Sequence, residues 1–342
     1  MPDILLEPHV EALDEFPITG TMADKLRAAV RYAVCAPSSH NSQPWRFVLA
    51  EGALELRADR SRALPVVDSD DRELVISCGS ALFHLCLALR HFGSTPQVER
   101  LPSIRDPDLL ARVHVTGTWE RTAEDEALFH AIPRRHTNRQ PFEDRHLPGE
   151  LGRTLEAAAQ ASGAWLHVFR TPEARSAIAS LVAEADRIQM ADKRFRRELA
   201  AWLRPNWTDR RDGMPGFALG FGDVMAAAGP LIVRTFDVGR GRAAHDEELA
   251  EGSPILALLG TPRDTPYHWL EAGEALSHVL LRAQVDGVSA SFLNQPIEVV
   301  ELRPRLQLVA GRPGYPQMLL RLGFGRETQG TPRRPVSDVL AG

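Results

Sequence analysis

The sequence predicts an α+β fold built from two copies of one unit in a single chain. Three observations carry that expectation. Residues 76–93 and 270–287 match at a constant offset: Gly79 with Gly273, Ala81 with Ala275, Leu82 with Leu276, His84 with His278, Leu87 with Leu281, Gly93 with Gly287. In both segments apolar residues recur at i, i+3, i+4 and i+7, the period of a helix with a buried face. A Trp-led strand pattern precedes each helix, Trp45-Arg46-Phe47-Val48-Leu49 and Trp165-Leu166-His167-Val168-Phe169. An extended stretch and a second strand pattern follow each, residues 109–115 and 317–324. Two units at this spacing are a duplication rather than a repeat array.

Taken in chain order, residues 1–16 are acidic and lack an apolar core of signal-peptide length. Residues 36–45 cannot be helix or central strand, because two prolines remove backbone donors and Ser and Asn favour turns. Each repeated helix ends at a glycine, Gly93 and Gly287, suited to a left-handed cap. The second half carries an insertion at about 170–250. It opens on a charged helix, 174–204, and continues through the Gly/Pro-punctuated run Asp212-Gly213-Met214-Pro215-Gly216. The long apolar stretch 217–233 contains Asp223, four glycines counted with its flanks, and Pro230, which does not make a spanning helix. The expected domains are residues 20–122 and 123–330.

Composition narrows the function classes. Of 342 residues, 44% are apolar and 25% charged, as in ordinary globular proteins, and the net charge of −5 argues against a nucleic-acid partner. Cys35, Cys78 and Cys86 have no metal-ligand spacing and sit in apolar patterns, so buried free thiols and a reducing, cytoplasmic setting are expected. There is no Gly-x-Ser-x-Gly, Walker loop or HExxH, so no catalytic side chain and no metal ligand is assigned. His84 and His278, at matching helical positions, read as packed core residues.

Two segments carry ligand chemistry. The first is Ala36-Pro37-Ser38-Ser39-His40-Asn41-Ser42-Gln43-Pro44-Trp45, a rigid loop offering hydroxyls, amides and free backbone N–H groups to a flat ligand with polar edges. The second is Arg134-Arg135-His136-Thr137-Asn138-Arg139, whose forked donors and hydroxyl match phosphate. Together they resemble the flavin-contacting segments of the nitroreductase-like flavoprotein family, most closely its two-repeat Acg-type branch. The resemblance covers roughly residues 24–330 and implies a three-layer α/β/α fold in each repeat, with the two repeats forming a pseudo-dimer.

The resemblance also implies FMN as cofactor. Pro37, Ser38, Ser39, Asn41 and Gln43 would contact it from the first half, with His40 lining its face. Arg135 and Thr137 would take the phosphate end, and Arg139 the pyrimidine edge of the ring, with His136 positioning the loop. Leu293, Asn294 and Gln295 correspond to a family segment whose backbone approaches flavin N5. Arg326 corresponds to a strand-end basic residue that contacts phosphate. Thr137 departs from the family's usual Ser but keeps the hydroxyl. Aligning Trp45 with Trp165 sets the Ser/Asn loop against Ala157-Ala158-Ala159-Gln160-Ala161, and the first half lacks the basic motif. Each half has lost what the other kept, so one FMN per chain between the halves is expected, in a monomer or homodimer.

The implied activity is oxidoreduction by ping-pong hydride transfer through flavin N5, from NAD(P)H to a nitroaromatic or quinone-type acceptor. The alternative is an FMN-binding or flavin-sequestering protein, should the insertion act as a lid that keeps NAD(P)H from the ring.

Overall fold

The structure, a computed structural model, describes residues 16–17, 19–50, 52–237 and 239–341. The acidic residues 1–15 therefore lie outside the described residues. The first half contains α1 (Met22–Ala33), β1 (Trp45–Ala50), β2 (Ala53–Ala58), α2 (Arg72–His91), β3 (Ser94–Arg100), β4 (Leu109–Thr118) and α3 (Ala123–Ala131). The second opens with α4 (Leu151–Ala161) and β5 (Trp165–Phe169). The insertion supplies α5 (Pro172–Ala191), α6 (Lys193–Trp202), β6 (Leu203–Arg204), β7 (Met214–Pro215), α7 (Asp223–Thr235) and α8 (Gly239–Glu251). The chain then runs β8 (Ile255–Thr261), α9 (Pro266–Val285), β9 (Ser289–Phe292), α10 (Gln295–Glu298), α11 (Arg303–Ala310), β10 (Tyr315–Gly323), α12 (Val336–Val339) and β11 (Leu340–Ala341).

The duplication is explicit in the sheets. The first has the order β11-β1-β2-β4-β3 and the second β5-β8-β10-β9, so apart from the added edge strand the two coincide strand for strand. The Trp-led strands occupy equivalent places: Trp45 pairs with Ala58 and Trp165 with Gly260. The strand after each Trp-led strand, β2 and β8, has no separate signal in the sequence reading. Burial distinguishes the halves. Strand β2 alternates buried and half-buried residues along most of its length, whereas β10 is buried from its second residue to its last. Alternation suits a sheet packed mainly on one face, and continuous burial a sheet covered on both. Accordingly α4 and α9 cover one face of the second sheet and α5, α10 and α11 the other, an α/β/α arrangement.

Helices α2 and α9 pack at the centre, where the two glycines matched in sequence meet. A Cβ on Gly79 would lie 2.1 Å from the Leu270 carbonyl oxygen, and one on Gly273 2.0 Å from the Ile76 carbonyl oxygen. Ser80 Oγ donates to the Gly273 carbonyl at 3.0 Å, and Ser277 Oγ to that of Ser80 at 3.2 Å. These reciprocal contacts give the closely packed pair the character of a two-fold interface inside one chain. Gly93 and Gly287 take left-handed conformations (φ 79° and 72°) just beyond each helix, as their sequence position implies. Helix α2 is long and apolar enough to span a membrane, and it is almost wholly buried within the protein.

The charged helix expected over 174–204 is two helices. Asp192 breaks it: its backbone is extended (ψ 117°), and its Oδ1 accepts the Arg194 N–H at 2.7 Å as the N-cap of α6. The bend turns α6 back onto the first half. There Glu198 accepts the N–H groups of Val66 and Val67 at 2.9 Å, and Asp212, between β6 and β7, pairs with Arg62 at 2.5 Å. The insertion therefore bridges both halves.

Candidate functional site

The loop at 37–44 holds three non-glycine residues in the left-handed region: His40 (φ 52°), Asn41 (φ 53°) and Gln43 (φ 52°). Such backbone persists only when surroundings over-determine it, and here they do. Ser38 Oγ accepts the Gln43 N–H at 3.0 Å. Asn41 Nδ2 donates to the carbonyls of Gly213 (2.9 Å) and Pro332 (3.1 Å). Gln43 Nε2 donates to the Arg211 carbonyl at 2.7 Å, and its Oε1 accepts the Arg334 N–H at 2.8 Å. The two amides thus bind the insertion and the C-terminal tail to the loop. Neither is among the residues that line the cavity described next, and the polar atoms of both side chains are engaged by the insertion and the tail.

Between the halves lies a cavity of about 560 Å³, within the size range of small-molecule sites. The first half contributes Pro37, Ser38, Ser39, His40, Glu73 and Ser77; the second contributes Thr137, Arg139, Leu293, Asn294, Gln295 and Arg321. The insertion adds an apolar wall that includes Met190, Phe195, Leu199, Met225 and Ile232. The serine loop and the basic motif, separated by about a hundred residues, therefore meet at one site. Ser39 Oγ donates to Glu73 Oε2 at 2.5 Å, so its lone pairs remain for a ligand. Thr137 bridges to Ala290, and the Asn138 N–H donates to the Ala290 carbonyl at 2.9 Å, which lays the basic motif along β9.

Arg135 and His136 sit behind this wall rather than in it. Arg135 is buried, donates to the Cys35 carbonyl at 3.4 Å, and leaves its Nε without a partner. Burial, and then the neighbouring Arg333, push its guanidinium down to about 9. His136 is driven to about 4 by burial and by the same two arginines. Arg326 departs from expectation. Its side chain is exposed, and only its carbonyl is engaged, by Asn138 Nδ2 at 2.9 Å. Strand β10 ends at Gly323, and the three residues that follow carry the chain out to solvent.

Two arginines not assigned from sequence stand nearby with donors unsatisfied. Arg321 on β10 lines the cavity, buried over the Phe142 ring at 4.4 Å and donating to the Asn138 and Gln140 carbonyls. Arg333 in the tail donates to Asn41 Oδ1 at 2.9 Å and leaves its Nε unpartnered. Burial depresses Arg139 and Arg321 to about 10 and lowers Arg333 as well. Arg135, Arg139, Arg321 and Arg333 form no ion pair among the described residues. Arg135 and Arg321 are buried and Arg139 and Arg333 are half-buried, and buried charges are ordinarily paired. Arg333 opens the run Arg333-Arg334-Pro335, whereas Arg321 stands alone in an apolar strand with no local pattern to single it out.

His84 and His278 are core residues. His84 Nδ1 lies 3.3 Å from the Tyr32 carbonyl, and His278 stacks on Phe83 at 5.0 Å and meets Ser162 Oγ at 3.2 Å. All three cysteines are free and buried.

No protein-family model matches the chain. Among curated proteins it is 34% identical over 325 residues to "Putative NAD(P)H nitroreductase Rv3131" of Mycobacterium tuberculosis, spanning 93% of this chain and 91% of that protein. It is 30% identical over 330 residues to "Putative NAD(P)H nitroreductase acg" of the same organism, spanning 95% and 97%. A crystal structure of the FMN- and NADPH-dependent nitroreductase NfnB from sphigopyxis sp. strain HMH superposes with a TM-score of 0.42 at 20% identity, over 63% of this chain and 98% of that one. With its near-complete overlap with Rv3131 and acg, this chain belongs to the nitroreductase-like family, in its Acg-type branch.

Proposed function

We propose that this protein is an FMN-dependent oxidoreductase that passes electrons from NAD(P)H to a nitroaromatic or quinone-type acceptor, with one FMN per chain held between the repeats. The observation that carries the reading is the group of buried and half-buried arginines without an ion pair, behind and within a cavity whose other side is the serine loop. These residues suit the group. Arg135 and Arg333 would take the phosphate with Thr137, Ser38 and Ser39 offer hydroxyls, and Arg139 would stand where negative charge develops on a reduced ring. FMN, when bound, supplies hydride transfer; the chain's residues bind it, orient it and keep water from it. Residues 20–122 and 123–330 are the two repeats in this reading, and the relatives named above as NAD(P)H nitroreductases agree with it.

The insertion favours a second reading. Its helices line the cavity and are tied to the first half through Glu198 and Asp212. A site closed in this way would hold flavin while keeping a dinucleotide from the ring, and the protein would then sequester FMN. One experiment addresses both. FMN titration of the parent and of the Arg135→Ala/Thr137→Ala double variant is expected to reveal weakening by ~2–4 kcal/mol, with charge-assisted bonds at about 1.5–3 kcal/mol each and incomplete additivity. Unchanged affinity would refute the phosphate assignment. Anaerobic mixing with NADPH then separates the readings: bleaching of the flavin within seconds supports turnover, and persistent colour supports sequestration.

A further inference from the structure

Two neighbouring hydroxyls in the cavity are held with opposite polarity. Ser38 and Ser39 both line it, and both are half-buried. Ser38 Oγ accepts the Gln43 N–H at 3.0 Å, which uses a lone pair and leaves its proton free. Ser39 does the reverse. Its Oγ donates to Glu73 Oε2 at 2.5 Å, so that only lone pairs remain. The Ser39 N–H donates to Ser77 Oγ at 3.4 Å, and Ser77 Oγ donates to the Glu73 carbonyl at 2.7 Å. Helix α2 therefore sets both the position and the polarity of Ser39.

Glu73 is fixed from its other side. It is buried, and Asp68 accepts its N–H at 3.0 Å and that of Leu74 at 2.9 Å. Its Oε1 accepts Arg72 Nη2 at 2.9 Å. Arg72 Nη1 donates to the Gln317 carbonyl at 2.6 Å and to Gln317 Oε1 at 3.2 Å. Gln317 stands where β10 shifts register against β8. Its Nε2 donates to Thr261 Oγ1 at 2.8 Å and to Asp264 Oδ1 at 3.0 Å, and Arg303 Nη1 donates to Asp264 Oδ2 at 2.6 Å. A run of hydrogen bonds thus joins Ser39 in the first half to β10 and α11 in the second. Its direction is determined near Ser39, because a guanidinium only donates and a carboxylate only accepts. The last link can only draw the Ser39 proton away from the cavity.

We infer that Glu73 is a positioning residue of the flavin site: it holds Ser39 as an acceptor beside Ser38 as a donor, so the part of FMN that meets these serines presents a donor next to an acceptor. The inference rests on the flavin reading and adds to it a residue outside both polar segments of the sequence. Glu73→Gln keeps the shape of the side chain and reverses this polarity. A carboxamide has one oxygen, and Arg72 requires it. The amide N–H groups then face Ser39, whose hydroxyl must accept from them and turn its own proton into the cavity.

The test is a double-mutant cycle on FMN affinity, read by flavin fluorescence on titration of the parent, Glu73→Gln, Ser39→Ala and the double variant. Glu73→Gln is expected to weaken FMN binding about tenfold or more when Ser39 is present. In the Ser39→Ala background it is expected to change affinity by less than about twofold, because its effect passes through that hydroxyl. A purely structural role for Glu73 would cost the same factor in both backgrounds, and that result overturns the inference. So does unchanged affinity of Glu73→Gln with Ser39 in place. Should Glu73→Gln fail to fold, Glu73→Asp, which draws the carboxylate back from Ser39 by one methylene, takes its place in the cycle with the same expected pattern. Failure of the parent to bind FMN overturns the flavin reading and this inference together, whereas FMN binding with equal losses in both backgrounds overturns this inference alone.

Discussion

Arg135 illustrates a buried charge whose desolvation the fold itself does not repay. It is buried, its one hydrogen bond is 3.4 Å long, and its nearest charged neighbour repels it. Replacing an unpaired buried charge by an apolar side chain of similar length removes a desolvation cost. Arg135→Met apoprotein is therefore expected to melt at or above the parent's Tm, while its FMN affinity falls at least tenfold. Thermal melts with and without FMN check this; a lower apoprotein Tm would mean that Arg135 serves the fold. The motif containing Arg135 and Thr137 was legible in sequence because basic residues and a hydroxyl crowd six positions. Asn41 and Gln43 were legible as loop residues but not in their role. Their partners, Arg211, Gly213 and the tail, lie far along the chain, and no local pattern encodes such pairing.

At the scale of elements, the α2–α9 pair sets the distance between the repeats and hence the width of the cavity seam. Gly79→Ala puts a methyl group 2.1 Å from a backbone carbonyl that cannot move aside as a side chain could. Overpacking of this kind costs about 1–3 kcal/mol or more, and the helices must separate to accept it. Gly241→Ala in α8 is the matched control, since a Cβ there meets nothing within 4 Å and alanine is the better helix former. Denaturant unfolding is expected to place Gly79→Ala well below the parent and Gly241→Ala at or above it; equal loss in both would dismiss the close packing. The break at Asp192 was not legible, because an Asp within a charged helical run also reads as a solvated helix residue. Only its capping bond to Arg194 and the docking of Glu198 on Val66 and Val67 distinguish the two.

For the whole molecule, two sets of buried groups oppose each other in pH. Burial depresses His40 and His84 to about 3 and His136 and His278 to about 4. A histidine kept neutral in the folded state costs nothing above its ordinary 6.5, and stability is lost as the pH falls below that value toward the folded pKa. Asp186 and Glu298 are raised, to about 7 and about 8, chiefly by burial. Their protonated forms favour the folded state at low pH, and that contribution is lost as the pH rises from the ordinary carboxylate range through the raised values. The apoprotein Tm is thus expected to peak between about pH 6 and 7 and to decline both toward pH 9 and as the pH falls from about 6 toward 4. Scanning calorimetry across pH checks this; a Tm that climbs steadily from pH 6 to pH 9 would contradict it.

The sequence by itself determined the duplicated α+β unit, the matched glycine helices and the two polar segments at 36–45 and 134–139, because helical period, close-packing glycines and clustered donors are local features. Tertiary structure alone decided which arginines lack an acidic partner and that the insertion walls the cavity. Those properties depend on what stands across a gap from each side chain, and residues hundreds of positions apart supply it.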